Sequence, residues 1–259
     1  VGVQEYPLLP DACNGRSCDL RFPVADAAEF LNVIARRTAP MFAGMEARMM
    51  VNPDPFAKLP PETRSGALTL AGGAVLQPES DTVEDTLIDF LELPGPEDTS
   101  IVFIAGHGIN IEEDYYLIPT DGRRRDDARW RKSSLVQWRD IQDALEDAKG
   151  RKILFVDTCH AGNAYNVKLE KESVDARISV ISATAANNVA LELPELGHGV
   201  FSYSLIRGLD GAARREGGPV GILDLAAYVS NEVMRLTRDR QEPVYHFPQP
   251  VTNFPVARP

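Results

Sequence analysis

Short apolar runs alternate along the chain with stretches in which apolar residues return every three or four positions. Ile101-Val102-Phe103-Ile104-Ala105 and Ile153-Leu154-Phe155-Val156 are unbroken apolar runs of strand length, and Ile178-Ser179-Val180-Ile181 follows them. All three are rich in β-branched residues, as strands buried on both faces are. Helical spacing marks Ala27 to Arg37, with Ala27, Leu31 and Ile34 on one face. A second helix is predicted where Val83, Leu87 and Leu91 repeat behind Asp81, an N-cap candidate with Glu84 at the capping-box position. Further helices are predicted over Ser134 to Asp147, Val200 to Leu209 and Ile222 to Leu236. The alternation predicts an α/β fold in which a parallel sheet is covered by helices on both faces.

Two stretches interrupt it. Asn52 to Gln77 carries Pro53, Pro55, Pro60, Pro61, Gly66, Gly72 and Gly73, which predicts a long loop. Ala164 to Arg177, with the charged string Lys168-Leu169-Glu170-Lys171-Glu172, is predicted to be an exposed connection open to cleavage. The opening Val1-Gly2-Val3 has the pattern of a strand's end, so the chain is expected to be a mature fragment or a module of a longer one, and no signal segment follows it.

Composition narrows the classes. With 259 residues and 44% hydrophobic content the chain suits one sizeable domain. No apolar run approaches the roughly eighteen residues of a membrane span, so a soluble protein without a membrane partner is expected. The formal charge of −11, from 27 Lys+Arg and 38 Asp+Glu, repels a phosphate backbone and makes nucleic acid a poor partner. The basic cluster of Arg123, Arg124, Arg125, Arg129, Arg131 and Lys132 is interleaved with Asp126 and Asp127 and reads as a solvated loop. Cys13, Cys18 and Cys159 are too few for a disulfide framework and favour a reducing, cytoplasmic compartment. Cys13 and Cys18 can bridge or share a metal, but no second cysteine pair completes a zinc set, and both are expected to be dispensable for activity.

Ligands and catalytic groups gather beyond the carboxyl ends of parallel strands. The first apolar run is followed there by Gly106-His107-Gly108, and the second by Asp157-Thr158-Cys159-His160-Ala161-Gly162. A lone cysteine is more often inert packing and a lone histidine more often a satisfied polar group. Together, at two strand ends and roughly fifty residues apart, they read as a Cys/His dyad. The chemistry needs both, because a thiol with an ordinary pKa is mostly protonated at neutral pH and a nearby imidazole can take its proton and return one to a leaving amine. Gly108 lets the backbone approach a substrate carbonyl. The N–H groups of Gly108 and Cys159 can then form an oxyanion hole, each donor being worth roughly 3 kcal/mol.

Phe103-Ile104-Ala105-Gly106-His107-Gly108 and Asp157-Thr158-Cys159-His160-Ala161-Gly162 together resemble the caspase-like cysteine peptidases. The resemblance is to the metacaspase and bacterial orthocaspase branch, which carries Asp two positions before the nucleophile where animal caspases carry Gln. Val1-Gly2-Val3 with Tyr6 and Leu9, Ala25-Asp26-Ala27, Tyr116-Leu117-Ile118-Pro119 with Asp121, Ile181-Ser182-Ala183-Thr184 and Gly199-Val200-Phe201-Ser202 are similar to further family segments.

The resemblance implies a three-layer α/β/α sandwich with a mainly parallel six-stranded sheet. It implies one catalytic domain over residues 1–259, large-subunit-like to about 163, connecting over 164–177 and small-subunit-like over 178–259. It implies a cysteine endopeptidase with Cys159 as nucleophile and His107 as general acid/base, and a substrate pocket of Asp26, Asp157 and Ser182 that takes an Arg or Lys before the cut. Autoprocessing is expected after Lys168, Lys171 or Arg177. No cofactor or metal is required for this chemistry; calcium activates some metacaspases, and Asn166 stands near where those relatives carry a calcium-binding carboxylate. A regulatory partner or a fused sensor domain fits the family's restrained proteases. The alternatives are a separase-like or CHAT-type protease, an inactive caspase-like scaffold, and a small-molecule-binding doubly wound module, which lacks the phosphate-cradling glycine loop it needs. Gly197-His198-Gly199 repeats the Gly-His-Gly string but precedes a helix pattern, and reads as a loop. His160 is assigned a supporting role, Trp130 and Trp138 packing, and His246 a loop position.

Overall fold

A computed structural model of the chain describes residues 1–10, 13, 17–112, 114–125, 129–158, 178–184, 190–215 and 217–259. Its elements, in chain order, are α1 (Pro23–Thr38), α2 (Pro53–Ala57), α3 (Pro61–Leu70), α4 (Ser80–Glu92), β1 (Thr99–Ile111), β2 (Asp114–Ile118), β3 (Val136–Gln137), α5 (Trp138–Asp147), β4 (Arg151–Thr158) and β5 (Ile178–Ser182). They continue with β6 (Glu192–Leu193), β7 (His198–Gly199), α6 (Val200–Arg207), β8 (Val220–Gly221), α7 (Ile222–Thr237), β9 (Val244–His246) and β10 (Pro255–Ala257).

The central sheet has six strands in the order β3-β2-β1-β4-β5-β9. Its centre is parallel, β1 with β4 and β4 with β5, while β2, β3 and β9 add antiparallel edges. The apolar runs are unbroken because helices cover both faces. Phe103, Ala105, Ile153, Phe155 and Ile181 pack with α1, α6 and α7. Val102, Ile104, Leu154, Val156 and Val180 face the other way, onto Val83, Leu87 and Leu91 of α4 and Ile141 and Leu145 of α5. Alternate residues of each strand thus enter opposite cores. Beyond Gly106, β1 leaves β4 and continues as a hairpin with β2, His107 opposite Ile118. The opening residues run beside β1: Val3 N–H donates to Ala105 O at 2.9 Å, and Ala105 N–H to Val1 O at 2.9 Å.

Three expectations need correction. The stretch from Asn52 to Gln77 is not a long loop but carries α2 and α3, each with proline in its first turn, where the missing N–H is not needed. Asp81 does not cap α4. The helix starts at Ser80, two residues earlier than that cap implies, behind Glu79, and Ser80 N–H donates to Asp121 Oδ1 at 2.8 Å. The helix placed from Ser134 begins at Trp138, because Val136 and Gln137 pair with β2 first. Among the described residues no helix is long and apolar enough to cross a membrane.

Candidate functional site

His107 sits where β1 parts from β4, half-buried and held on two sides. Its backbone N–H donates to Tyr6 Oη at 2.9 Å, the tyrosine hydroxyl donates to Val3 O at 3.0 Å, and the two rings lie 4.9 Å apart. Its Nε2 lies 2.8 Å from the carbonyl oxygen of Cys18. A carbonyl only accepts, so Nε2 carries the proton and Nδ1 is left with its lone pair. Burial lowers the imidazole pKa, opposed by the Cys18 bond and the charge of Asp19, and the net shift is downward. A neutral, oriented imidazole with Nδ1 as acceptor is the form a general base requires.

Cys18 owes its position to its neighbours. It is buried in a small cluster with Val3, Tyr6, Leu9, Tyr116, Ile118 and Leu135, and is joined by a disulfide to exposed Cys13. Of the two sequence readings, bridge or shared metal, the structure has the bridge.

The parallel register pairs Ala105 with Asp157 and Gly106 with Thr158, so Asp157 lies one strand over from Ala105, two residues before His107 in β1. Asp157 is buried, and its Oδ2 accepts from Ser202 Oγ at 2.5 Å and from Ser202 N–H at 3.3 Å, in the first turn of α6. Asp26, buried in α1, accepts Gly199 N–H on Oδ2 at 3.2 Å, and its Oδ1 lies 2.6 Å from His198 Nδ1. The two carboxylates converge on Gly199: a β-carbon there would stand 2.9 Å from Asp157 Oδ2 and 3.2 Å from Asp26 Oδ2, so glycine is what lets both approach. Burial, then the charge of Asp26, pushes Asp157 up to about 7, against its Ser202 bonds. Burial likewise raises Asp26 to about 6, opposed by His198 and Gly199.

Ser182 lies at the end of β5, buried, with its hydroxyl donating to Val244 O at 3.3 Å. Gly108 pairs with Leu117 across the hairpin, and the space beside its Cα is filled by the Tyr115 ring, whose hydroxyl lies 2.5 Å from that of Thr158. This glycine therefore also has a packing reason: Tyr115 crosses it to reach the end of β4. Cys159, His160, Asn166, Lys168, Lys171 and Arg177 lie outside the described residues. Among the described residues no three His, Cys, Asp or Glu side chains gather as metal ligands. A groove of about 330 Å³ lies away from this site, between α1 and α4 beside Thr99 to Phe103.

Sequence reasoning missed His198, Ser202 and Cys18. His198 does precede a helix as expected, yet its side chain belongs to the acidic pair; the repeated Gly-His-Gly string was the available signal. Nothing local marked Cys18, whose contribution is a backbone carbonyl.

The family model of the caspase domain matches residues 65–255, more than half of the chain. Among solved structures, the crystal structure of protein GSU0716 from Geobacter sulfurreducens is similar over 97% of this chain and 93% of that chain, with a TM-score of 0.57 and 15% sequence identity, which is a likeness of fold. Comparison with curated proteins gives no match.

Proposed function

The chain belongs to the caspase domain family, and from that premise we propose that it is a cysteine endopeptidase of the metacaspase and orthocaspase type, cleaving after Arg or Lys. One observation carries the reading. His107 stands at the parting of β1 and β4 with Nε2–H tied to a carbonyl and Nδ1 free to act as base, and the next residue after the paired Thr158 is Cys159.

In this reading His107 takes the Cys159 proton as the sulfur attacks the scissile carbonyl. The N–H groups of Gly108 and Cys159 stabilise the oxyanion, and the imidazolium returns its proton to the departing amine. Water then hydrolyses the acyl-enzyme with His107 again as base. The substrate's basic side chain enters toward Asp26 and Asp157; Ser182, expected beside them, pairs with Val156 rather than with Asp157 and bonds to Val244 O. Buried carboxylates with raised pKa values gain most from such a cation, because it restores the charge that burial opposes. The chemistry as proposed requires no cofactor; calcium activation through the segment containing Asn166 belongs to the same reading.

The chain acts as one catalytic domain, with 164–177 joining its large-subunit-like and small-subunit-like parts, and a regulatory partner or fused sensor restrains it. The cytoplasmic location expected from cysteine count has the Cys13–Cys18 disulfide against it, since such bridges persist in oxidising compartments.

The test is a fluorogenic peptide panel varying only the residue before the scissile bond, with wild type, Cys159→Ala and His107→Ala. Cleavage after Arg or Lys that both variants abolish is the expected result. Efficient cleavage after Asp overturns the pocket assignment. Activity above a few per cent in either pure variant overturns the dyad, and absence of thiol-reagent labelling at Cys159 points to the inactive scaffold.

A further inference from the structure

The acidic pair meets a cation from within its own chain. His198 Nδ1 lies 2.6 Å from Asp26 Oδ1, and the side chains of the two are 20% and 3% exposed, so the imidazole stands between solvent and the carboxylate. We propose that His198 is the resident cation of the acidic slot: its imidazolium holds the place of the substrate's basic side chain, and an arginine or lysine binds by displacing it. This deepens the reading of Asp26 and Asp157 as the specificity pocket and rests on it.

The surroundings favour a charged but displaceable histidine. The titratable groups that face it are Asp26 and Glu29 of α1, Glu192 of β6, Asp157 of β4 and Tyr203 of α6, whose ring centroid is 6.4 Å away. Burial alone lowers the His198 pKa, but the Asp26 bond, the Asp26 charge and Glu29 outweigh it and the net shift is upward. Below the raised value the imidazolium neutralises Asp26. Above it the imidazole discharges and leaves the carboxylate to an incoming cation.

The backbone around His198 is light. It forms half of the two-residue strand β7, between Gly197, in the left-handed region at φ +68° with open space beside it, and Gly199. The frame behind it is fixed. Leu193 and Glu192 of β6 pair with His198 and Gly199, and the Glu192 carboxylate accepts the Arg21 and Phe22 N–H groups at the start of α1. The imidazole can therefore swing off Asp26 while the slot keeps its walls.

The consequence is a substrate affinity that His198 tunes with pH, independently of the dyad. Removing its charge with His198→Gln, which keeps a hydrogen-bond donor, is expected to lower KM for an Arg peptide by about fivefold at a pH just below the His198 midpoint found by titration, and to leave it within about twofold at a pH well above that midpoint. A permanent cation in His198→Lys is expected to raise KM by about tenfold at both, with kcat of either variant within about threefold of wild type. A second measurement does not depend on the variants' activity. In Cys159→Ala, the imidazole proton resonance of His198, assigned by its loss in His198→Gln, is followed through a pH titration with and without a saturating Arg peptide. Displacement from Asp26 is expected to lower its pKa by about one unit or more, while a matched norleucine peptide leaves it unchanged. An unchanged pKa under saturating Arg peptide, or KM profiles that coincide for wild type and His198→Gln at both pH values, overturns the proposal while the pocket stands. If wild type shows no preference for Arg or Lys at either pH, the pocket reading falls and this proposal with it.

Discussion

At the scale of single residues, the acidic pair is maintained at the expense of stability. Asp157 titrates near 3.9 in an unfolded chain and is raised to about 7 in the fold, chiefly by burial. The native state therefore holds the extra proton between those values. The stability associated with protonated Asp157 is complete below about pH 4 and is lost as pH rises through about 7. Asp157→Asn keeps an acceptor for Ser202 while removing the charge. Denaturant unfolding is expected to find the variant more stable than wild type at about pH 8, by an amount on the order of a few kcal/mol, and nearly equal near pH 4. The same variant is expected to lose kcat/KM for Arg peptides by about 30-fold, equivalent to about 2 kcal/mol, because one of two carboxylates facing the cation is gone. A less stable variant at pH 8 would show that Asp157 is there for its helix contact alone. Gly199→Ala makes a steric version of this test. Its methyl group meets both carboxylates, so cleavage after Arg is expected to fall by about tenfold or more while thiol labelling of Cys159 persists.

At the scale of elements, the orientation of His107 depends on a loop outside the sheet. Cys13 and Cys18 were expected to be dispensable, yet the Cys18 carbonyl holds Nε2–H of His107, and the disulfide to exposed Cys13 closes the loop that presents it. Cys13→Ser leaves that carbonyl and the buried Cys18 side chain in place and removes only the closure. Peptidase assays normalised to titrated Cys159 are expected to show kcat lowered by about three- to tenfold with KM little changed, since a positioned base is lost while the pocket is untouched. Unaltered kcat would show that packing of Cys18 against Tyr6 and Leu135 suffices. Helix α4 gives a stability counterpart. Its first turn is capped by Asp121, which accepts from both Ser80 N–H and Ser80 Oγ, and Asp121→Ala is expected to lower unfolding free energy by about 1 kcal/mol without affecting turnover.

At the scale of the whole molecule, β4 and β5 run parallel and adjacent, so residues 159–177 must return the chain from the carboxyl end of one strand to the amino end of the next. A charged connection of that length, leading from the proposed nucleophile, is the expected place of self-cleavage. Mass spectrometry of protein aged with and without Cys159→Ala is expected to map cuts after Lys168, Lys171 or Arg177 in the active chain only. Cuts confined to other segments would refute this.

Much of that architecture was legible in the chain itself. The unbroken runs at 101–105 and 153–156 and the helical repeats at 27–37, 83–91 and 222–236 each report burial through a local period, two-sided for the strands and one-sided for the helices. Glycine-flanked His107 stood out as a polar break after the run at 101–105, although the strand itself continues through it to Ile111. The proline-rich stretch misled for a local reason as well: proline signals an interruption, but at a helix's first turn it begins one. What only the tertiary structure decided are the partners. Asp26 and His198 are separated by 172 positions, His107 and Cys18 by 89, and Ser80 and Asp121 by 41. Hydrogen bonds between such groups depend on where the sheet and helices bring them, leave no periodicity along the chain, and in the case of the Cys18 carbonyl involve no side chain at all. The strands and the Gly-His-Gly string at the end of the first apolar run therefore follow from the order of residues, while the placement of His198 on Asp26 and of the Cys18 carbonyl behind the His107 imidazole follows only from the fold that brings them together.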